Sequence, residues 1–139
     1  GIIRATYAGA KGGLGALGLV KQAKAELEKA IELDPQALDG SAYTSLASLY
    51  YQVPGWPIGF GDEDKAAALF QQALTLNPDG IDPNYFHGDF LLRQKRYGEA
   101  RAALQKALAA PDRPGREVAD AGRRDEARAL LAKVKEKLE

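Results

Sequence analysis

The sequence contains no cysteine and no methionine, and it has one histidine and one tryptophan among its 139 residues. Without cysteine, disulfides, thiolate catalysis and thiolate metal ligation are excluded. Neither sign of charge is in excess, because 19 Lys and Arg residues balance 19 Asp and Glu residues. A neutral chain lacks the positive field that holds a phosphate backbone, so we predict no nucleic-acid partner.

Long hydrophobic runs are missing as well. The stretch from Ala5 to Val20 is interrupted by several glycines and by Lys11, and it falls short of the ~18 apolar residues that span a bilayer. We therefore predict no membrane-spanning segment. Hydrophobic residues make up 45% of the chain and charged residues 27%, which is typical of a folded protein of one domain. The prediction is a single domain over residues 1–139.

One spacing of small and large apolar residues occurs three times. Each copy has an alanine, a large apolar residue four positions later and a second alanine three positions after that, followed by a proline. This spacing places the three apolar residues on one face of a helix that the proline ends. The copies are Ala23, Leu27, Ala30 and Pro35; Ala66, Phe70, Ala73 and Pro78; and Ala100, Leu104, Ala107 and Pro111.

Each of the last two copies follows another segment with a helical apolar pattern, which indicates helical hairpins. The leading segments carry Tyr43, Leu46, Ala47 and Tyr50 in one case, and Tyr85, Gly88 and Leu91 in the other. We expect Asp82 and Pro83 to begin the second of these, with Asp82 as the capping residue. The acidic run from Asp62 to Asp64 is expected to cap the helix that follows it.

These residues resemble the tetratricopeptide-repeat family, whose units are helical hairpins of ~34 residues; Ala66 and Ala100 are 34 residues apart. The resemblance implies an all-α, right-handed superhelical stack. We expect repeats at about residues 4–37, 38–80 and 81–113, with the first repeat degenerate and residues 11–18 irregular. Residues 114–139 are predicted to form an amphipathic capping helix.

Several residues have side chains or spacings of the kind found in catalytic or cofactor-binding sites, but their surroundings in the sequence favour structural roles. Gly13, Gly15 and Gly18 match a dinucleotide fingerprint, but that motif requires a preceding strand in a parallel sheet, so we expect an irregular turn. His87 and the serines before it lack the strained turn of a hydrolase nucleophile, so we expect His87 to be structural. We predict neither enzymatic activity nor a cofactor or metal site. Five arginines near the carboxyl end are expected to form a solvated face: Arg113, Arg116, Arg123, Arg124 and Arg128.

An insertion over residues 52–62 interrupts the second repeat and is unusually apolar for a loop. Trp56, Ile58 and Phe60 must be buried somewhere. Two readings remain open: these side chains pack over their own hairpin, or they line a binding pocket.

In a repeat stack the leading helix of each hairpin lines the concave side. We therefore predict that a partner-binding groove runs along the leading helices. The residues on the face away from the apolar pattern are Thr44, Ser48, Tyr51, Gln52, Tyr85, Asp89, Leu92 and Arg93. Tyrosine and arginine are enriched at binding hot spots. We predict a non-catalytic module that binds a protein or peptide there.

Two alternatives follow from other features. The apolar insertion, the glycine-rich opening and the arginine-rich last helix resemble the periplasmic tetratricopeptide-repeat component associated with TRAP-type transporters, which implies an elongated or lipid-like ligand. Self-assembly is the other alternative, through Tyr7 and the Ile2–Ile3 segment. Because the chain starts at Gly1 and has no methionine, we expect a processed or trimmed form. We expect the protein to lie in the bacterial periplasm, or to be attached to a membrane by a segment ahead of Gly1, in preference to the cytoplasm.

Overall fold

The structure is a computed structural model that describes residues 13–36, 40–55 and 59–138, with side chains in the first helix described from Gly18 onward. The described residues form α-helices and no strand, in agreement with the predicted all-α class. The helices are α1 (Gly13–Leu33), α2 (Ser41–Gln52), α3 (Glu63–Leu76), α4 (Ile81–Arg93), α5 (Tyr97–Ala109) and α6 (Glu117–Leu138). None of these helices is long and apolar enough to cross a membrane.

The helices belong to two compact units. Unit 1 comprises the described residues up to Leu76, and unit 2 comprises those from Asn77 onward. In unit 1, α2 packs against both α1 and α3, and in unit 2 the helices α4, α5 and α6 all contact one another. Each unit therefore holds one helical hairpin, α2 with α3 or α4 with α5, together with one further helix.

The repeated apolar positions form the interiors of both units. Ala66, Phe70 and Ala73 on α3 are at most 1% exposed, and the equivalent positions on α5 are fully buried. Alanine at the first and third positions lets the neighbouring helix approach, while the large residue between them fills the space. The predicted core stripe is confirmed for α3 and α5.

Helix α1 departs from the prediction in two ways. Gly13 to Gly18 are helical, so the expected irregular turn is wrong over these residues. The burial of Val20, Ala23 and Leu27 stabilises the helix that these glycines begin. Ala30 was predicted to lie on the same apolar face as Ala23 and Leu27, but it is exposed. In the last turn of α1 the half-buried residue is Ile31 instead. Tyr7 and the Ile2–Ile3 segment, on which the self-assembly alternative depends, lie outside the described residues.

The helix starts show one confirmed cap and one wrong one. The Asp62 carboxylate accepts a hydrogen bond of 3.1 Å from the backbone N–H of Lys65, which caps α3 as predicted. Gly80, however, is the residue that precedes α4, and no side chain caps that helix. Asp82 instead lies in the first turn of α4, where its carboxylate pairs with two arginines.

Helix α6 matches the predicted capping helix along most of its length. Ala127, Leu131 and Val134 are buried, whereas Leu138, which was placed on the same apolar face, is 44% exposed. The buried face of α6 is thus narrow. Ion pairs from α6 to Asp82 and Asp112 add to the contacts that hold this helix in unit 2.

Candidate functional site

The predicted binding residues of α2 lie in unit 1, and the structure separates them by burial. Thr44 is 4% exposed, so its predicted place on the outward face is wrong. Because α1 and α3 both pack against α2, the buried arc of α2 is wider than a single apolar stripe. Ser48 is half-buried, and its hydroxyl donates a hydrogen bond of 3.0 Å to the carbonyl oxygen of Thr44.

The last turn of α2 is more accessible. The half-buried Tyr51 ring lies 5.9 Å, between centroids, from the ring of Phe70 on α3. The exposed Gln52 donates a hydrogen bond of 3.3 Å from its amide to the Tyr51 hydroxyl. The ring of Tyr51 is therefore partly used in packing, while its polar end lies near the surface. We call Ser48, Tyr51 and Gln52 the α2 surface.

The insertion after α2 closes on itself through backbone contacts. The N–H of Gly61 donates to the carbonyl of Pro54 at 2.9 Å, and the N–H of Asp62 donates to that of Tyr50 at 2.9 Å. Gly61 lies so close to the other side of the loop that an added Cβ would come within 1.9 Å of the Val53 carbonyl oxygen. Glycine is therefore required at residue 61.

Phe60 packs on its own hairpin. Its ring meets that of the buried Tyr50 edge to face, with 5.6 Å between the centroids. The ammonium of Lys24, on α1, lies 5.7 Å from the Phe60 centroid and 5.8 Å from that of Tyr50. For Phe60 these contacts support the packing interpretation of the insertion. Trp56 and Ile58 lie outside the described residues.

The predicted binding residues of α4 lie in unit 2. Arg93 is exposed, and its Nε lies 3.4 Å from a carboxylate oxygen of Asp89, one turn earlier. Leu92 is half-buried and packs against the core of unit 2. We call Tyr85, Asp89, Leu92 and Arg93 the α4 surface. The α2 and α4 surfaces belong to different units, and the single groove predicted from all eight residues stays a prediction.

Tyr85 is half-buried beside α6. The guanidinium carbon of Arg123 lies 5.0 Å from the Tyr85 ring centroid and 4.7 Å from that of Phe86. Burial, and then the negative charges of Glu126 and Asp89, raise the pKa of Tyr85 to about 12. The phenol is therefore neutral across the physiological pH range.

Three arginines of residues 110–126 make contacts within unit 2, two of them with α4, and this corrects the predicted solvated face. Arg113 and Arg123 both bind Asp82 of α4, at 3.3 and 3.0 Å. Arg124 donates to the carbonyl of Ala110 at 3.0 Å and pairs with Asp112. The prediction fails for these three because acidic partners from other turns are brought beside them. Arg116 and Arg128 are exposed, as predicted.

Asp120 is the partner that sequence reasoning missed. Its side chain is fully buried, and it accepts hydrogen bonds from the backbone N–H and the guanidinium of Arg113, at 2.9 and 2.8 Å. These hydrogen bonds hold the pKa of Asp120 below its usual range. Asn84, also buried, donates to the carbonyls of Pro78 and Gly80, both at 2.9 Å. A polar residue within an apolar helical pattern is the signal that identifies such positions.

His87 lies half-buried on α4. Burial and the nearby positive charge of Arg96 lower its pKa, so the imidazole is neutral at pH 7. Among the described residues, no three histidine or acidic side chains gather as metal ligands.

Comparison with known families gives two matches. A family model described as "Tetratricopeptide repeat" matches residues 58–120, and a second model of the same description matches residues 14–37. The first match spans α3, α4 and α5, and the second spans most of α1. Residues 38–57, between the two matches, hold α2 and the first half of the insertion. A search of curated proteins found no matching relative.

Proposed function

Because this chain is a tetratricopeptide-repeat protein, we propose that it is a non-catalytic module that binds a protein or peptide through the α4 surface. The α2 surface is proposed as a second contact. Tetratricopeptide repeats generally mediate protein–protein interaction, and the two family matches are the observation that carries the proposal.

The composition and burial of the α4 surface support a binding role. Leu92 offers apolar contact from a position fixed by the core of unit 2. Arg93 is exposed beside it and is held toward Asp89, which orients the guanidinium before a partner arrives. Arginine is enriched among the residues that contribute most to interface affinity, and pre-orientation lowers the cost of binding.

The residues considered for catalysis have other roles. The Ser48 hydroxyl donates its hydrogen bond to a backbone carbonyl one turn earlier. Its proton is therefore directed to the backbone and not to a general base. His87 is half-buried on a packed helix. These contacts favour a non-catalytic function.

A peptide selection tests the proposal. A random peptide library displayed on phage is selected against the immobilised chain, and binding of the enriched peptides is measured by isothermal titration calorimetry. We expect Arg93→Ala to weaken the selected peptides about tenfold, because a hot-spot arginine contributes about 1–2 kcal/mol. The substitution Gln52→Ala tests the α2 surface separately.

Arg101→Ala is the matched control, because Arg101 is an exposed arginine on α5. Its affinity is expected to equal that of the unmodified chain. Selected peptides that bind Arg93→Ala and Gln52→Ala as tightly as Arg101→Ala would exclude both surfaces.

A further inference from the structure

Arg123 lies in surroundings that hold a guanidinium group on several sides. The Tyr85 and Phe86 rings pack edge to face with 5.1 Å between their centroids, and the guanidinium lies within 5.0 Å of both. Aromatic faces attract cations through the ring quadrupole. Both rings belong to α4, whereas Arg123 belongs to α6.

Two carboxylates complete these surroundings. Asp82 accepts from Arg123 Nε at 3.0 Å, and Glu126 accepts from Nη1 at 3.1 Å. Stacking and directional hydrogen bonds together suit a planar guanidinium better than a lysine ammonium, which is a compact point charge. We call Asp82, Tyr85, Phe86 and Glu126 the Arg123 site.

We propose that the Arg123 site is an arginine-binding site for a partner peptide, and that Arg123 occupies it as an internal competitor. A partner arginine would enter as Arg123 swings out toward solvent. The inference rests on the proposed function, since Tyr85 belongs to the α4 surface, and it adds the partner's chemistry and a means of self-inhibition.

The exposure of the site makes such an exchange possible. The side chains of Arg123 and Asp82 are 26% and 28% exposed, and Glu126 is 54% exposed. Arg123 therefore reaches water without local unfolding. When it leaves, Asp82 keeps its contact of 3.3 Å with Arg113, so Asp82 is not stranded without a partner.

The charges around the vacated site favour a cation. Arg113 then faces both Asp82 and Asp120, and Glu126 loses its contact with Arg123. The loss of one guanidinium thus leaves Asp82 and Glu126 with fewer cationic contacts than before. A basic peptide restores the lost positive charge, whereas an acidic peptide is repelled.

Vacating the site by mutation tests the proposal. The probes are acetyl-Gly-Arg-Gly-amide and its lysine counterpart, and binding is followed by NMR at the resonances of Tyr85 and Phe86. We expect Arg123→Ala to bind the arginine peptide roughly tenfold more tightly than the unmodified chain, because self-occupancy reduces the affinity for any competitor. The lysine peptide is expected to bind more weakly than the arginine peptide.

Arg128→Ala is the control, since Arg128 is an exposed arginine of the same helix that pairs with Asp125. It should bind the probes as the unmodified chain does. A folded Arg123→Ala that binds the arginine peptide no more tightly than Arg128→Ala overturns the proposal.

A second measurement covers a variant that loses stability. If Arg123→Ala unfolds at working temperature, millimolar methylguanidinium is expected to raise its Tm more than methylammonium does, while leaving that of Arg128→Ala unchanged. Equal effects of the two cations overturn the proposal. If the arginine peptide does not bind but the selected peptides remain sensitive to Arg93→Ala, the arginine site is wrong and the proposed function stands. If the selected peptides are also insensitive to Arg93→Ala, both the arginine site and the proposed α4 surface are wrong.

Discussion

Gly88, on α4, lies close to α5 in unit 2. A Cβ added at this residue would lie 2.7 Å from Cγ and 2.8 Å from Cδ2 of Leu104, which is fully buried. Neither side chain nor backbone has free space there. We predict that Gly88→Ala lowers the free energy of unfolding by about 1–3 kcal/mol through overpacking, as measured by urea denaturation.

Gly98, on α5, is the matched control because an added Cβ there meets nothing within 4 Å. Gly98→Ala is expected to raise the stability by about 0.5–1 kcal/mol, since alanine is the better helix former. A Gly88→Ala variant as stable as Gly98→Ala would contradict the close packing of α4 on α5.

Asp120 carries the second prediction at the residue scale. Its removal leaves the guanidinium of Arg113 without its main buried partner, so Asp120→Asn should cost about 2–3 kcal/mol at pH 7. The carboxylate has a lowered pKa in the folded chain, so its contribution is complete above its unfolded pKa of about 3.9 and is lost as the pH falls through the folded value. Urea denaturation at pH 7 and below pH 4 measures both effects.

Asp125→Asn serves as the control for this series. Asp125 also pairs with an arginine, but its side chain is 77% exposed, so its loss should change stability little. If the two variants lose equal stability, or if the difference persists unchanged in acid, the buried pair does not stabilise the fold as described.

Single residues also show where sequence reasoning reaches its limit. The alanines and the large residues of α3 and α5 were found because their contacts follow the period of one helix. Thr44 was misplaced because two helices pack against α2 and widen its buried arc, and Asp82 because its partners lie 31 and 41 residues away. Contacts with residues that are distant in sequence produce no periodic pattern within one helix, so they cannot be predicted from its local sequence.

At the scale of elements, the insertion between α2 and α3 depends on one glycine. The close approach of Gly61 to Val53 leaves no room for a side chain, and the Gly61 N–H is one of the contacts that close the loop. We predict that Gly61→Ala opens the loop, which lowers the Tm and increases amide hydrogen exchange at residues 59–62.

Gly55 is the control within the same loop, because a Cβ there would have its nearest neighbour, the Gly61 carbonyl oxygen, at 3.4 Å. Gly55→Ala is expected to leave hydrogen exchange in the loop close to that of the unmodified chain. Similar exchange in both variants would argue against loop closure at Gly61. The insertion itself was predicted from the sequence, but its backbone closure was not.

Helices α1 and α6 show how packing overrides local signals. The glycines at the start of α1 predict an irregular turn, yet burial farther along the helix maintains regular structure. The arginines of α6 read as a solvated face, yet Arg123 and Arg124 contact groups outside their own helix. In both cases the helix was predictable while its neighbours were not.

At the scale of the whole molecule, the neutral formal charge conceals an uneven arrangement. In unit 2 the side chains of Arg113, Arg123 and Arg124 are half-buried beside acidic partners, whereas Arg93, which pairs with Asp89 on its own helix, is exposed. A charged group that is half-buried beside its partner contributes less to partner recruitment than one that is exposed. The count of charges in the sequence therefore indicates the class of partner, whereas the location of the binding surface requires the fold.

Chemical-shift mapping tests the central claim most directly. A peptide from the selection is titrated into the ¹⁵N-labelled chain, and changes in backbone amide resonances locate its contacts. If the chain binds through its leading helices, we expect the largest changes at residues 85–93 of α4 and smaller changes at residues 48–52 of α2. Changes confined to the exposed faces of α5 and of the second half of α6 would contradict it.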